Sequence, residues 1–166
     1  MGTFHSVFAK ILRIEAQAIG FPSNFTIYDT DDSRSLIKAI LKELNLDDKT
    51  YKPSAVHNRI SMAKNRLVSW QSYNTNPVFQ EDDALSGRPQ IGKIYQLYQD
   101  RLKKAGSMDF DDLLFNTNIL FRDHPDILIK YQMKFQYIMV DEYQDTNMSQ
   151  YLICLLYTSP SPRDRQ

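Results

Sequence analysis

The sequence predicts a mostly helical α/β chain in which a run of helices leads into one strand-turn-helix unit. Apolar residues recur at three-to-four spacing through most of the chain. One short stretch, Phe135 to Val140, is instead aromatic and β-branched at strand length. That stretch runs straight into Asp141 and Glu142, the polar rim expected where a strand buried on both faces meets its turn.

Taken in order, Val7, Phe8, Ile11, Leu12, Ala18 and Ile19 line one helical face that stops at Gly20, a residue suited to the left-handed turn past a helix end. Phe25 to Tyr28 reads as a short extended link. Asp29 or Thr30 caps a second helix with Leu36, Ile37, Ile40, Leu41 and Leu44 inward, and Asp31 and Asp32 favour its positive end. Pro53 and Ser54 open a third, whose apolar side runs from Val56 through Ile60, Ala63 and Leu67 to Trp70. Gln71 to Pro89 lacks a period and reads as a long loop. A fourth helix spans Ile91 to Lys104 and stops at Gly106. A fifth starts near Asp109 with Phe110, Leu113, Leu114 and Phe121, and Pro125 starts a short sixth. After the strand, Asp145 or Thr146 caps a further helix.

The 166 residues hold one domain or parts of two, and the 20 basic residues cancel the 20 acidic ones, so any electrostatic signal is local. Cys154 is alone, which excludes an internal disulfide. No apolar run approaches the roughly 18 residues of a membrane span, and no signal-peptide pattern is present. A cytoplasmic protein without a membrane partner is the expectation. The opening MGTFHS lacks an element to hold it, and the closing YTSPSPRDRQ breaks a helix with Pro160 and Pro162; both suggest a fragment, with 155–166 a disordered, non-native tail.

Burying adjacent carboxylates costs several kcal/mol unless cations or donors compensate, and hydrated magnesium with a nucleotide phosphate is a natural compensator. One acid can hold the metal's water shell while its neighbour takes a proton from attacking water. The plainer reading is that Asp141 and Glu142 solvate a turn and favour the next helix's start. The longer string separates these. VDEYQDTN, preceded by FQYIM, resembles the second helicase motif of UvrD/Rep-type superfamily-one DNA helicases, a DExQD form of the Walker B element. GTFHS at the chain start resembles that family's preceding DNA-contact motif, and MDFDDLL, Met108 to Leu114, another of its segments, all in family order.

The resemblance implies a partial RecA-like (P-loop NTPase) parallel-sheet domain carrying an inserted all-α subdomain. Residues 1–20 and 107–154 would belong to the former and 21–106 to the latter. It implies ATP and Mg2+ as cofactors, with Asp141 serving magnesium, Glu142 as catalytic base, and Gln144 and Asp145 coupling the nucleotide site to its surroundings. Thr3, Phe4 and His5 would lie on the path of single-stranded DNA, and duplex junctions would be further partners. The family's phosphate loop lies upstream of GTFHS, so the chain alone is expected to be inactive. The alternative is a stand-alone helical module that binds single-stranded DNA without ATPase activity.

A near-match to the phosphate-loop pattern, GRPQIGKI from Gly87 to Ile94, is rejected: polar residues precede it, Pro89 removes a donor, and Ile94 stands where a hydroxyl is needed. Between Tyr51 and Trp70, Lys52, Arg59, Lys64 and Arg66 stand without an acidic residue. They form either a phosphate-facing surface, on which Arg59, Lys64 and Arg66 are the DNA-binding candidates, or a solvated helix face. Trp70 and Tyr73 are possible stacking platforms, although helical spacing places Trp70 in the core. His57 and His124 have no ligand partners at metal spacing, and a nuclease site of Asp109, Asp111 and Asp112 is set aside because acids favour a helix start.

Overall fold

The computed structural model describes residues 4–135, which form eight α-helices and a two-stranded parallel sheet. The described residues divide into two units, 4–24 with 112–135, and Phe25–Asp111.

In the first unit, α1 (Phe4–Glu15) buries Phe8, Ile11 and Leu12 and tightens into a 3-10 turn at Ala16–Ile19. Gly20 follows at φ 83, where its N–H and that of Phe21 reach back to the carbonyls of Gln17 and Ala16. Only a residue without Cβ takes that conformation at no steric cost. Helix α7 (Phe110–Asp123) starts in the other unit and continues here, burying Leu113, Leu114, Leu120 and Phe121. Its buried Asn118 and Thr117 donate to the carbonyls of Leu114 and Leu113, so polar side chains inside the helix remain satisfied. Pro125 opens α8 (Pro125–Phe135), at the position where a missing N–H costs nothing. Lys130 Nζ and Tyr131 Oη of α8 both bond Glu15 Oε2, at 2.8 and 3.0 Å. Phe135, expected to begin a strand, is the last residue of α8; the remainder of that expected strand, and the helix after it, lie outside the described residues.

The second unit is built on the parallel pairing of β1 (Thr26–Tyr28) with β2 (Ser107–Asp109), in the register Thr26 to Ser107 and Tyr28 to Asp109. Parallel neighbours need a long crossover. Here the crossover is the whole helical run between them: α2 (Thr30–Glu43), α3 (Pro53–Asn65), α4 (Trp70–Thr75), α5 (Pro77–Leu85) and α6 (Ile91–Lys104). Asp29 caps α2 with a reciprocal box, accepting from Asp32 N–H at 2.8 Å while its own N–H donates to the Asp32 carboxylate at 3.2 Å. Helix α2 packs on α3 and α6, and α4 on α6. The core they enclose includes Ile37, Ile40, Val56, Ile60, Ile94 and Tyr98.

Several expectations are corrected. The third helix does not reach Trp70: it ends at Asn65, where Leu67 turns left-handed at φ 60 and the N–H groups of Leu67 and Val68 close on the carbonyls of Lys64 and Ala63. The stretch read as a loop holds α4, capped by Ser69, and α5, capped by Asn76 with Pro77 at its start. Helices of 6 and 9 residues leave too little sequence to show a period. Phe110, grouped in the sequence with Leu113, Leu114 and Phe121, is 47% exposed while those three are buried. Beside α4, a Cβ on Gly92 would come within 1.9 Å of Asn74 Oδ1. Helix α5, not a strand, precedes GRPQIGKI, so Gly92 serves close packing of α4 on α6.

Candidate functional site

Strand β2 is short, but all three of its residues are buried, and it delivers Asp109 into the interior of the second unit. There Asp109 Oδ2 accepts from Lys64 Nζ of α3 at 2.8 Å and from Tyr98 Oη of α6 at 2.7 Å. The lysine side chain is 0% exposed and its ammonium also stands 5.0 Å from the centre of the Tyr98 ring. Burial pushes the Tyr98 hydroxyl well above its ordinary pKa, so it remains a donor. An ion pair this dry is maintained only by full hydrogen bonding, and it ties α3 and α6 to the end of β2.

Beside this pair stand His57 of α3 and Asp111 at the start of α7. One ring nitrogen of His57 and one carboxylate oxygen from each of Asp109 and Asp111 lie within 4.8 Å of one another. Burial lowers the His57 pKa despite the two carboxylates, which keeps the imidazole neutral at neutral pH. Burial, and then the charge of Asp109, raise the pKa of Asp111 against a hydrogen bond with Ser61. Local spacing offered His57 no partner; the fold supplies two acids from far along the chain. The packing of α3 beside the end of β2 joins residues about fifty positions apart, which local spacing does not show.

On the other side of α3, Arg59 Nε donates to Asp83 Oδ1 at 3.1 Å and to Tyr73 Oη at 2.9 Å, and Tyr73 Oη donates to Asp83 Oδ2. The Arg59 guanidinium also sits 5.6 Å from the centre of the Phe79 ring, which stacks on Tyr73. This network fastens α4 and α5 to α3.

These placements sort the expected DNA-binding residues. Lys64 is corrected: its buried ammonium is committed to Asp109, where no phosphate backbone reaches it. Tyr73 is fully buried and offers no stacking face. Arg59 is 23% exposed and held by Asp83. Arg66, just past α3, is exposed, as is Lys52 before it. Trp70 is half-buried against the helical core. On α2, Arg34, Lys38 and Lys42 follow one another at four-residue spacing and all are exposed, a stripe that sequence reading passed over. His5 is half-buried within α1, and Phe4 opens that helix. Thr3, Asp141, Glu142, Gln144 and Asp145 lie outside the described residues. No described helix is long and apolar enough to cross a membrane.

The model of one protein family, the UvrD/REP helicase N-terminal domain, matches residues 1–161. Among curated proteins, the chain is 41% identical over 163 residues to an ATP-dependent DNA helicase PcrA of Leuconostoc citreum, covering 97% of the chain and 21% of that relative. It is 44% identical over 153 residues to the protein of the same name from Bacillus subtilis (strain 168), covering 92% and 20%. The Staphylococcus aureus (strain Mu50 / ATCC 700699) protein of that name is 42% identical over 160 residues, covering 96% and 21%. The chain thus spans about a fifth of the length of these relatives.

Proposed function

We propose that this chain, which belongs to the UvrD/REP helicase N-terminal domain family, is a segment of an ATP-dependent DNA helicase that couples ATP hydrolysis to movement on single-stranded DNA. The observation that carries this reading is the family match over residues 1–161, which takes in GTFHS, MDFDDLL and VDEYQDTN together. Residues 1–20 and 107–154 are assigned to a RecA-like domain and 21–106 to its helical insertion.

In this reading Asp141 holds magnesium, Glu142 accepts the proton of the attacking water, and Gln144 and Asp145 couple the nucleotide to its surroundings. The donor set fits, since adjacent carboxylates supply the hard oxygen ligands magnesium takes. Bound magnesium neutralises charge on the transferring phosphate. Thr3, Phe4 and His5 lie along the DNA strand. The 166-residue polypeptide contains no G-x-x-x-x-G-K-[ST] sequence, so it is expected to show no magnesium-dependent ATPase activity by itself. Turnover that disappears in Asp141→Ala would contradict this.

A second reading, a helical module that binds single-stranded DNA without hydrolysis, draws on the exposed cations of the second unit. Arg34, Lys38 and Lys42 on α2, with Lys52 and Arg66 beside α3, can track phosphates. Replacing the α2 trio with glutamine should flatten the plot of log affinity against log salt by about 0.7 for each phosphate no longer neutralised, as measured by fluorescence anisotropy on an oligonucleotide. An unchanged slope would place the strand elsewhere. ATP hydrolysis that depends on single-stranded DNA, assayed in the longer protein carrying this segment, separates the two readings.

A further inference from the structure

We propose that His57, Asp109 and Asp111 form a site for a divalent first-row transition metal ion, with zinc as its probe, that clamps α3 to the corner between β2 and the start of α7. The site uses none of the acids assigned to the nucleotide above, and its argument does not rest on that assignment.

Four observations converge. The three ligand atoms already lie within 4.8 Å of one another, from residues on α3, at the end of β2 and at the start of α7. Tetrahedral donors around one zinc ion, with bonds of about 2.1 Å, stand about 3.4 Å apart, so closing on an ion asks for a shift of no more than about 1.4 Å between any two of these atoms. His57 Nδ1 is buried with no hydrogen-bond partner among the described residues, and a neutral imidazole in that state has a lone pair or an N–H left to satisfy. Because the rest of His57, and Asp111, are half-buried, an ion has a way in from solvent.

Charge points the same way. Lys64 neutralises one of the two carboxylates, and the second remains near the imidazole without a cation at bonding distance among the described residues. Asp109 can hold the lysine on one oxygen and still ligate, since ligating carboxylates are commonly fixed by outer hydrogen bonds; Tyr98 supplies another. One imidazole with two carboxylates suits zinc, manganese or iron(II) better than calcium, and three protein ligands leave room for water.

The test uses the whole 166-residue chain after chelator treatment, titrated with zinc chloride by calorimetry and followed by thermal unfolding. One equivalent should bind and raise the unfolding midpoint. Both effects should vanish in His57→Gln and in Asp111→Asn and persist in His124→Gln. Absence of zinc binding, or binding retained in either of the first two variants, would overturn the site. Cobalt(II) in the unaltered chain provides a readout that requires no variant to fold: hyperfine-shifted ring resonances assigned to His57 support the site, and shifts confined to His5 or His124 overturn it.

Discussion

Lys64→Met on its own is expected to lower the stability of the chain by about 3–5 kcal/mol, because it leaves the Asp109 carboxylate buried without its cation. Asp109→Leu should cost a similar amount, because it removes the carboxylate bonded at 2.8 Å to an ammonium whose side chain is 0% exposed. The double variant Lys64→Met with Asp109→Leu should recover part of the loss, since it removes both charges and their desolvation penalty while leaving the buried Tyr98 hydroxyl without this acceptor and placing a larger side chain at 109. Urea unfolding followed through Trp70, the sole tryptophan, reads this directly, as its ring packs against the core of the same unit. Single variants that cost less than about 1 kcal/mol, in the range of surface pairs, would show the ion pair to be solvated after all.

The second large effect concerns chemistry. In the longer protein, Glu142→Gln should retain ATP binding and lower turnover by about a hundredfold to ten-thousandfold, the usual contribution of a positioned general base. Glutamine matches glutamate in size and removes only the proton acceptor. The comparison is therefore of kcat at saturating ATP together with nucleotide affinity from equilibrium titration. A fall in affinity with kcat unchanged would reassign Glu142 to binding.

The helix ends that were legible in the sequence are those written in residues with a single stereochemical use. Gly20 and Gly106 take positive φ, Asp29 caps α2, and Pro53 and Pro125 open α3 and α8. The limits of α6 were legible for the same reason, with a periodic face closed by Gly106. Leu67 was not, since nothing in a leucine signals a left-handed turn; the helix stops there through two backbone hydrogen bonds that its side chain does not announce. Lys64 misled in a related way. A lysine in an acid-free segment reads as surface charge, and only the non-local arrival of Asp109 on β2 turns it inward. The pairing of β1 with β2 joins residues about eighty positions apart, and the approach of His57 on α3 to Asp109 and Asp111 joins residues about fifty apart; both are invisible to local pattern. A motif written in one contiguous string, such as VDEYQDTN, is the part a sequence shows most readily.

ATP hydrolysis by the longer protein, measured with magnesium in the presence and absence of single-stranded DNA, tests the functional account most directly. Turnover that rises on adding the DNA is the expected result. Hydrolysis that is absent, or indifferent to DNA at low salt, would contradict it.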